Sequence, residues 1–235
     1  MKTHRSAWPV FFHGLRDSLS IALGYLPVAI SFGLAAIHAG FAPWVAVLIS
    51  ILVYAGAAQF ILITLLAGGG SPVSVIGIVL LMNVRHVFYG PALASRLDSS
   101  SRRLPTPLLA AGLTDEVFAT SISKLAERPG HEREYWYAGL QLGAYLAWVA
   151  GTALGAYFGK DWLQSSAVLA QTLGFVLPAL FFALLLEIRG IVPWYVLAGA
   201  AAMTLIGMAV LPAYGAIVAG MLAGALLRFR RARGA

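Results

Sequence analysis

The most restrictive feature of this sequence is an apolar stretch that carries polar and charged side chains at its centre. Apolar residues run from Val73 to Leu97, which is long enough to cross a bilayer as a helix, and Asn83, Arg85 and His86 lie near the middle. A central arginine costs about 2.5–3.5 kcal/mol on insertion scales, so it must face protein, water or a bound anion. The stretch therefore predicts a membrane helix that borders a polar site.

The composition extends this prediction to the whole chain. Of the 235 residues, 60% are hydrophobic and 11% are charged, whereas soluble proteins carry about 25% charged residues. The apolar runs are long and do not alternate with polar residues, which excludes a transmembrane β-barrel. We predict an all-α polytopic integral membrane protein with about seven to eight membrane segments, some of them broken helices, in a single transmembrane domain over residues 1–235. No cofactor or metal is expected, and the absence of cysteine removes thiol catalysis and cysteine–zinc sites.

The distribution of positive charge predicts the orientation of the chain. The net charge of +7 comes largely from the two ends, at Lys2, Arg5, Arg16, Arg228, Arg230, Arg231 and Arg233. Basic flanks of this kind mark the cytoplasmic side of membrane helices, and no stacking aromatics accompany them as in a nucleic-acid site. We therefore expect a multi-pass protein of the bacterial inner membrane, with both termini cytoplasmic, an even number of crossings and no nucleic-acid partner.

The segment plan follows the apolar runs. It places a cytoplasmic or interfacial N-terminus at 1–17, three spans within 18–95, polar loops at 96–135 around a short segment 108–125, further spans at 136–228 and a basic tail at 229–235. Simple alternation puts Arg96, Arg102 and Arg103 outside, against the positive-inside bias. A re-entrant segment 108–125, which returns to the side it entered from, is the alternative. A weak likeness between 43–67 and 166–187 leaves an inverted repeat open.

Several polar or helix-breaking residues lie inside the apolar segments. Pro27, with Gly24 before it, is expected to interrupt the first span, with a simple packing kink as the alternative. Gln59 follows four small residues in the second span and either faces substrate or links helices. Arg85 is either an anion clamp or one half of an ion pair, and His86 is either a proton carrier or a structural residue.

Two adjacent acids form the second unusual feature. Asp115 and Glu116 follow Thr114 within the short segment 108–125. Helix-end chemistry explains them if Gly112 breaks the helix, Thr114 caps the next one and the acids occupy its first turn. The same arrangement would place two carboxylates at a helix break in the membrane, where they are natural counter-charges to Arg85.

Three motifs, in order, resemble those of the AzlC family. They are YAGAAQF at 54–60, NVRHVFYG at 83–90 and TDE at 114–116, and the resemblance covers the chain from about Phe12 to Leu227. It implies the large subunit of an exporter of valine, leucine and isoleucine, with methionine as a further candidate. It also implies a small hydrophobic AzlD-like partner subunit and secondary transport driven by the proton gradient. No ATP-binding GxxxxGK[ST] motif is present.

A zwitterionic apolar amino acid needs an anion partner, a cation partner and an apolar pocket. The residues expected to bind substrate are Pro27, Tyr54, Gln59, Phe60, Asn83, Arg85 and Tyr89, and those expected to couple protons are His86, Asp115 and Glu116. Another small zwitterion as substrate, a passive channel, and an intramembrane enzyme built on His86 remain alternatives. The enzyme is disfavoured because no GxSxG or HExxH motif is present.

Overall fold

The computed structural model describes residues 7–84, 86–97, 104–165, 192–211 and 213–232, together with Val168, Phe175, Ala179 and Phe182. Every regular element in this part of the chain is helical. The helices are α1 Ala7–Asp17, α2 Leu19–His38, α3 Pro43–Leu52, α4 Gly56–Ala67, α5 Pro72–Asn83, α6 His86–Ala94, α7 Thr106–Ala111, α8 Asp115–Lys124, α9 Gly130–Ser165, α10 Trp194–Met208 and α11 Ala213–Ala232.

The lengths and apolar character of these helices confirm the predicted fold class. Three stretches are long and apolar enough to cross a membrane, namely Leu19–His38, Pro72–Ala94 and Gly130–Gly159. Shorter apolar helices cover Pro43–Leu52, Gly56–Ala67, Trp194–Met208 and Gly215–Leu227. The protein is therefore an all-α membrane protein. Most of the predicted segment 166–187 lies outside the described residues, so its likeness to 43–67 remains a prediction.

The chain divides into two compact units. One comprises Met1–Phe60 and Met82–Gly174, and the other comprises Ile61–Leu81 and Phe175–Ala235. In the second unit α10 packs on α11 through small residues, because a side chain on Gly220 would overlap Thr204 and one on Gly207 would press on Ala216. The predicted single domain is untested by this division, and the features described below belong to the first unit.

Helices α1 and α2 pack along α9 in parallel. Glycines of α9 that recur at GxxxG spacing in the sequence form its close-packing face, and the contacts follow the same order on both helices: Gly143 meets Ser18, Gly151 meets Ala29 and Gly155 meets Ile30. A Cβ atom on Gly155 would overlap the Ile30 carbonyl oxygen. Because the order is the same, α2 and α9 start at the same end of the unit.

The bounds of α9 differ from the predicted ones. The segment plan assigned residues up to 135 to polar loops and began the next span at 136. The helix instead begins at Gly130 and continues to Ser165. Glu132 in its first turn interacts favourably with the helix dipole, and residues 160–162 contain no proline that would end it.

Asp17 marks the end at which α2 and α9 start. Its Oδ2 accepts hydrogen bonds from Arg128 Nη2 at 3.1 Å and Trp136 Nε1 at 2.9 Å, and its Oδ1 lies 3.4 Å from Lys124 Nζ. The Arg128 guanidinium also lies over the Trp136 ring, 4.5 Å from its centroid. The end of α8 and the start of α9 are thereby fixed to the junction of α1 and α2. We call this region the charged end.

The connection between α6 and α7 lies at the same end. Arg133 Nη1 donates to the backbone oxygen of Arg96 at 2.8 Å, and the Leu104 amide donates to Glu134 Oε2 at 3.1 Å. Both contacts involve the first turns of α9. Helices α7 and α8 therefore leave the charged end at Leu104 and come back to it at Lys124.

The turn between α7 and α8 has the predicted chemistry. Helix α7 ends at Ala111, Gly112 follows it, and the Thr114 side chain caps α8 by accepting a hydrogen bond from the Val117 amide at 3.3 Å. Tyr137 of α9 donates to the Leu109 carbonyl oxygen at 2.9 Å, which fixes α7 against α9. Residues 106–124 thus form a helical hairpin whose tip, residues 112–114, lies inside the unit.

Helices α3 and α4 also fold back on each other. Gln59 Nε2 donates to the Ile49 carbonyl oxygen at 3.1 Å and to Ser50 Oγ at 3.3 Å. In one continuous helix Gln59 would lie about 13–15 Å along the axis from these two residues, so the chain turns back between α3 and the first turn of α4. The tip of this α3–α4 hairpin, residues 53–55, carries Tyr54 at φ +38°. The predicted span over 43–67 is therefore two helices.

The first span behaves in the opposite way. Pro27 and Gly24 were expected to interrupt it, but α2 runs unbroken from Leu19 to His38 with Pro27 inside it. The expected interruption is wrong. A proline removes one backbone hydrogen bond, and the packing of α2 along α9 maintains the helix on both sides of it.

Candidate functional site

The tips of the two helical hairpins meet at Tyr25 of α2. The Tyr25 hydroxyl lies 2.7 Å from Thr114 Oγ1 and donates to Glu116 Oε2 at 2.6 Å. Tyr54 belongs to the same buried cluster as Tyr25 and Trp148, and its hydroxyl lies within electrostatic range of Tyr25 and Glu116. We call these five residues the tip cluster. It lies about 12 Å along α2 from Asp17, well inside the membrane segment.

The hydrogen bonds of the tip cluster have one consistent direction. Because the single proton of Tyr25 goes to Glu116, the Thr114 hydroxyl must donate to Tyr25, while Thr114 itself accepts from the Val117 amide. The chain of donors ends on the Glu116 carboxylate. Glu116 is exposed, so its carboxylate is held on one side and accessible on the other.

Tyr54 combines two unfavourable features. Its φ of +38° is uncommon for a residue with a bulky side chain, and its hydroxyl, on a residue only 7% exposed, forms no hydrogen bond of good geometry with the described residues. Strain of this kind costs of order 1–3 kcal/mol, and a buried polar group without a partner costs about as much again. Such costs cluster at functional sites.

Aromatic rings enclose the hydroxyl groups of the tip cluster. The rings of Tyr25 and Trp148 are 5.1 Å apart at 82°, and those of Tyr54 and Tyr145 are 4.9 Å apart at 69°. A Cβ atom on Gly56 would lie 2.9 Å from the Trp148 ring, so the missing side chain at the start of α4 makes room for the indole. Apolar walls with few polar groups are typical of ligand sites.

Gln59 supports this region from within the protein. Its amide nitrogen donates to Ile49 and Ser50, its oxygen accepts from Trp148 Nε1 at 2.9 Å, and its side chain is fully buried. Ser50 continues the network to Thr152 Oγ1 at 2.7 Å. Both amide hydrogens therefore have acceptors, as expected for the helix-linking role that was one of its two interpretations.

The third predicted segment supplies one aromatic contact to α8. The Tyr89 ring stacks on Phe118 with centroids 4.3 Å apart, and the His86 ring lies 5.5 Å from Tyr89. His86 Nδ1 lies 3.0 Å from the Asn83 carbonyl oxygen. Arg85, the starting point of the sequence argument, lies outside the described residues.

The other predicted site residues lie at different distances from the tip cluster. Asp115 directly precedes Glu116 in the first turn of α8 and is half-buried. Pro27 is exposed on α2, and Phe60 packs edge-on against Phe32 with ring centroids 5.4 Å apart. Of the predicted residues, the structure thus brings Tyr54 and Glu116 together, with Asp115 adjacent.

Sequence reasoning did not select Tyr25 or Trp148. Tyr25 had a weak signal, since it lies between Gly24 and Pro27, which were singled out as a candidate binding region. Trp148 had none, because one tryptophan in an apolar helix is typical of a membrane segment. Its role depends on the close approach of Gly56, which only the three-dimensional structure shows.

These features define a class of protein: an integral membrane protein in which discontinuous helices surround a buried polar cluster. The AzlC protein family model matches residues 20–161, more than half of the chain. The chain therefore belongs to the AzlC family.

The curated relatives agree with this assignment. The chain is 41% identical to the inner membrane protein YgaZ of Escherichia coli K12 over 75% of this chain and 72% of that protein. It is 39% identical to an uncharacterized membrane protein of Archaeoglobus fulgidus over 75% of each chain. It is 28% identical to the branched-chain amino acid transport protein AzlC of Bacillus subtilis over 80% of this chain and 71% of that protein. No solved structure matches the chain.

Proposed function

We propose that this protein is a secondary transporter that exports branched-chain amino acids, namely valine, leucine and isoleucine, with methionine as a further candidate, across the bacterial inner membrane. The observation that carries the proposal is the tip cluster, where two helix breaks meet a carboxylate inside the membrane segment. Discontinuous helices with polar groups at their breaks are the usual substrate sites of secondary transporters. The name of the Bacillus subtilis relative supports the substrate class.

The chemistry of the site fits a zwitterion with an apolar side chain. Glu116, with Asp115 beside it, supplies negative charge for an ammonium group or a coupling proton. Aromatic rings of the tip cluster and Tyr89 supply apolar surface. Arg85 is the proposed partner for the substrate carboxylate, with Asn83 beside it and His86 as an additional proton carrier.

The proposed assembly includes a second subunit. A small hydrophobic AzlD-like protein is the expected partner, both termini are expected in the cytoplasm, and the proton gradient is the expected driving force. Exposed apolar side chains of α10 and α11, such as Leu205 and Leu222, suit contact with lipid or with such a partner, and the partner itself is proposed from the family resemblance.

A dipeptide-feeding experiment tests the proposed function. Cells that lack their own branched-chain exporters receive leucine-containing dipeptides, and the intracellular leucine pool is followed with this chain alone, with its small neighbour alone and with both. We expect the pool to fall when both are present and to respond to collapse of the proton gradient. A pool unchanged by the pair would refute branched-chain export.

Two variants connect this experiment to the site. Glu116→Gln should abolish export, because it removes the negative charge at the tip cluster while keeping the size of the side chain. Glu127→Gln is the matched control, because Glu127 is an exposed acid beyond the end of α8 and should be replaceable without loss. Saturable flux separates the transporter from a passive channel, and equal activity of both variants would remove Glu116 from the site.

A further inference from the structure

The buried hydroxyl of Tyr54 forms no hydrogen bond of good geometry with the described residues, although Tyr25 lies beside it. Tyr54 is more than nine-tenths buried, its backbone is strained, and it shares a buried cluster with Tyr25, whose hydroxyl is hydrogen-bonded to the Glu116 carboxylate. A bound polar group would supply the hydrogen bond that the protein does not, and it would offset part of the cost of both features.

The charge around this hydroxyl selects the kind of ligand. Tyr25 already donates to Glu116 Oε2, and no hydrogen bond to the described residues engages Oε1. An incoming carboxylate would be repelled by Glu116, whereas a primary ammonium group has three donors and needs acceptors. A carboxylate oxygen, a phenolic oxygen and the faces of aromatic rings are the acceptors that suit it.

We propose that the tip cluster binds a primary ammonium group between the Glu116 carboxylate and the Tyr54 hydroxyl. Tyr25 is a positioning residue, because it holds Glu116 toward the cluster through the hydrogen-bond chain from Thr114. This inference deepens the proposed function and rests on it for the apolar part of the ligand. It adds that Tyr54 contacts the ligand through its hydroxyl rather than only lining the apolar pocket.

Three probes test the charge requirement on the full-length protein in lipid nanodiscs. Isoamylamine carries the ammonium group and a branched apolar tail, L-leucine carries both charges, and 4-methylpentanoate carries only the carboxylate. We expect isoamylamine and leucine to bind and to raise the thermal unfolding midpoint, and 4-methylpentanoate to have at least a tenfold weaker effect. Equal binding of the amine and the acid would overturn the proposal.

Two tyrosine variants separate binding from folding. Tyr54→Phe removes a hydroxyl that has no partner, so the midpoint without probe should stay unchanged or rise, while the affinity for isoamylamine falls about tenfold. Tyr145→Phe is the matched control, because its hydroxyl donates to the Ile51 carbonyl oxygen at 3.1 Å. It should lower the midpoint and keep the affinity. Wild-type amine affinity in Tyr54→Phe would refute the proposal.

A double-mutant cycle tests the role of Tyr25. If Tyr25 acts by holding Glu116, Tyr25→Phe should weaken amine binding severalfold in the wild-type protein and have no further effect on binding in Glu116→Gln. Equal losses in both backgrounds would assign Tyr25 a separate role and overturn this part of the proposal.

If isoamylamine binds in a Tyr54-dependent way but leucine is neither bound nor exported, the ammonium site stands and the proposed function fails. If leucine is exported while Tyr54→Phe binds and exports as wild type, the function stands and the site fails.

Discussion

At the scale of single residues, Thr114 has two roles that usually fall to different side chains. It caps α8 by accepting from the Val117 amide, and it donates to Tyr25, which in turn holds Glu116. A local helix signal is thereby joined to the polar cluster. This explains how an ordinary capping sequence can lie at the centre of a membrane protein without leaving backbone donors unpaired.

Two substitutions of Thr114 distinguish the contribution of its hydroxyl group from that of its side-chain volume. We expect Thr114→Val to destabilise the protein by about 1–2 kcal/mol, because the cap and one buried hydrogen bond are lost together. Thr114→Ser keeps the hydroxyl and should remain close to wild type. Thermal unfolding in detergent measures both, and equal stability of the two variants would contradict the capping role.

Asp17 makes the stability of the charged end depend on pH. Burial tends to raise its pKa, but the hydrogen bond from Trp136 and the charges of Lys124 and Arg128 outweigh burial, so the pKa lies below its ordinary value. A carboxylate with a lowered pKa stabilises the fold above its unfolded-state pKa of about 3.9, and this contribution is lost as the pH falls through the folded-state value.

Asp17→Asn should therefore lower the unfolding midpoint at pH 7, and the variant should lose less stability than the wild type as the pH falls below about 4. The effect is expected to be about 1 kcal/mol or less, since the side chain is 26% exposed and the ion pairs are partly screened. Midpoints measured across this pH range test it, with Glu127→Gln as control. An unchanged pH profile in Asp17→Asn would show that other acids control acid unfolding.

At the scale of helices and hairpins, close approach of backbones holds α2 against α9. A methyl group at Gly155 would overlap the Ile30 carbonyl oxygen, whereas one at Gly24, also on a membrane helix, would meet nothing within 4 Å. We expect Gly155→Ala to destabilise by about 1–3 kcal/mol and Gly24→Ala to be neutral or slightly stabilising. Thermal midpoints of the two variants provide the measurement, and equal effects would contradict the parallel packing.

The existence of the helices was predictable, but the folding back of two hairpins was not. Apolar composition revealed the membrane segments, GxxxG spacing revealed the packing face of α9, and the sequence around Thr114 revealed the start of α8. Hydrophobicity does not distinguish one crossing helix over 43–67 from two shorter helices joined by a turn. The break at Tyr54 depends on contacts with α9 that lie far away in sequence, such as Tyr145 with Ile51.

The same limit applies to the candidate site. The acids at 115–116 were found because charge is costly in an apolar segment. Tyr54 was selected as a pocket-lining residue, but its strained backbone and unpaired hydroxyl have no sequence signal. Pro27 had a strong sequence signal, but it is exposed on an unbroken helix. A proline in the sequence indicates that a helix can be interrupted there, and the packing around the helix decides whether it is.

At the scale of the whole molecule, the two hairpins suggest how the chain crosses the membrane. The α7–α8 hairpin starts and ends at the charged end, whereas α3 follows the opposite end of α2 and the first turn of α4 lies beside α3. If each enters and leaves on one side, neither is a crossing. Arg96 then lies on the same side as Asp17, and the conflict with the positive-inside bias disappears.

Single-cysteine labelling can test this path, because the natural chain contains no cysteine and so serves as its own background. Continuous crossings over 43–67 would place Ser71 on the cytoplasmic side and Ser95 outside. A re-entrant α3–α4 hairpin instead places Ser71 outside and Ser95 on the cytoplasmic side.

We therefore expect an impermeant maleimide added to intact cells to label Ser71→Cys and to leave Ser95→Cys unlabelled until the membrane is permeabilised. Ala126→Cys, next to Lys124 of the charged end, should behave like Ser95→Cys, because both lie on the side of the N-terminus. Labelling of Ser95→Cys in intact cells, with Ser71→Cys protected, would show that residues 43–67 cross the membrane completely. The tip cluster would then not lie where two re-entrant hairpins from opposite sides meet.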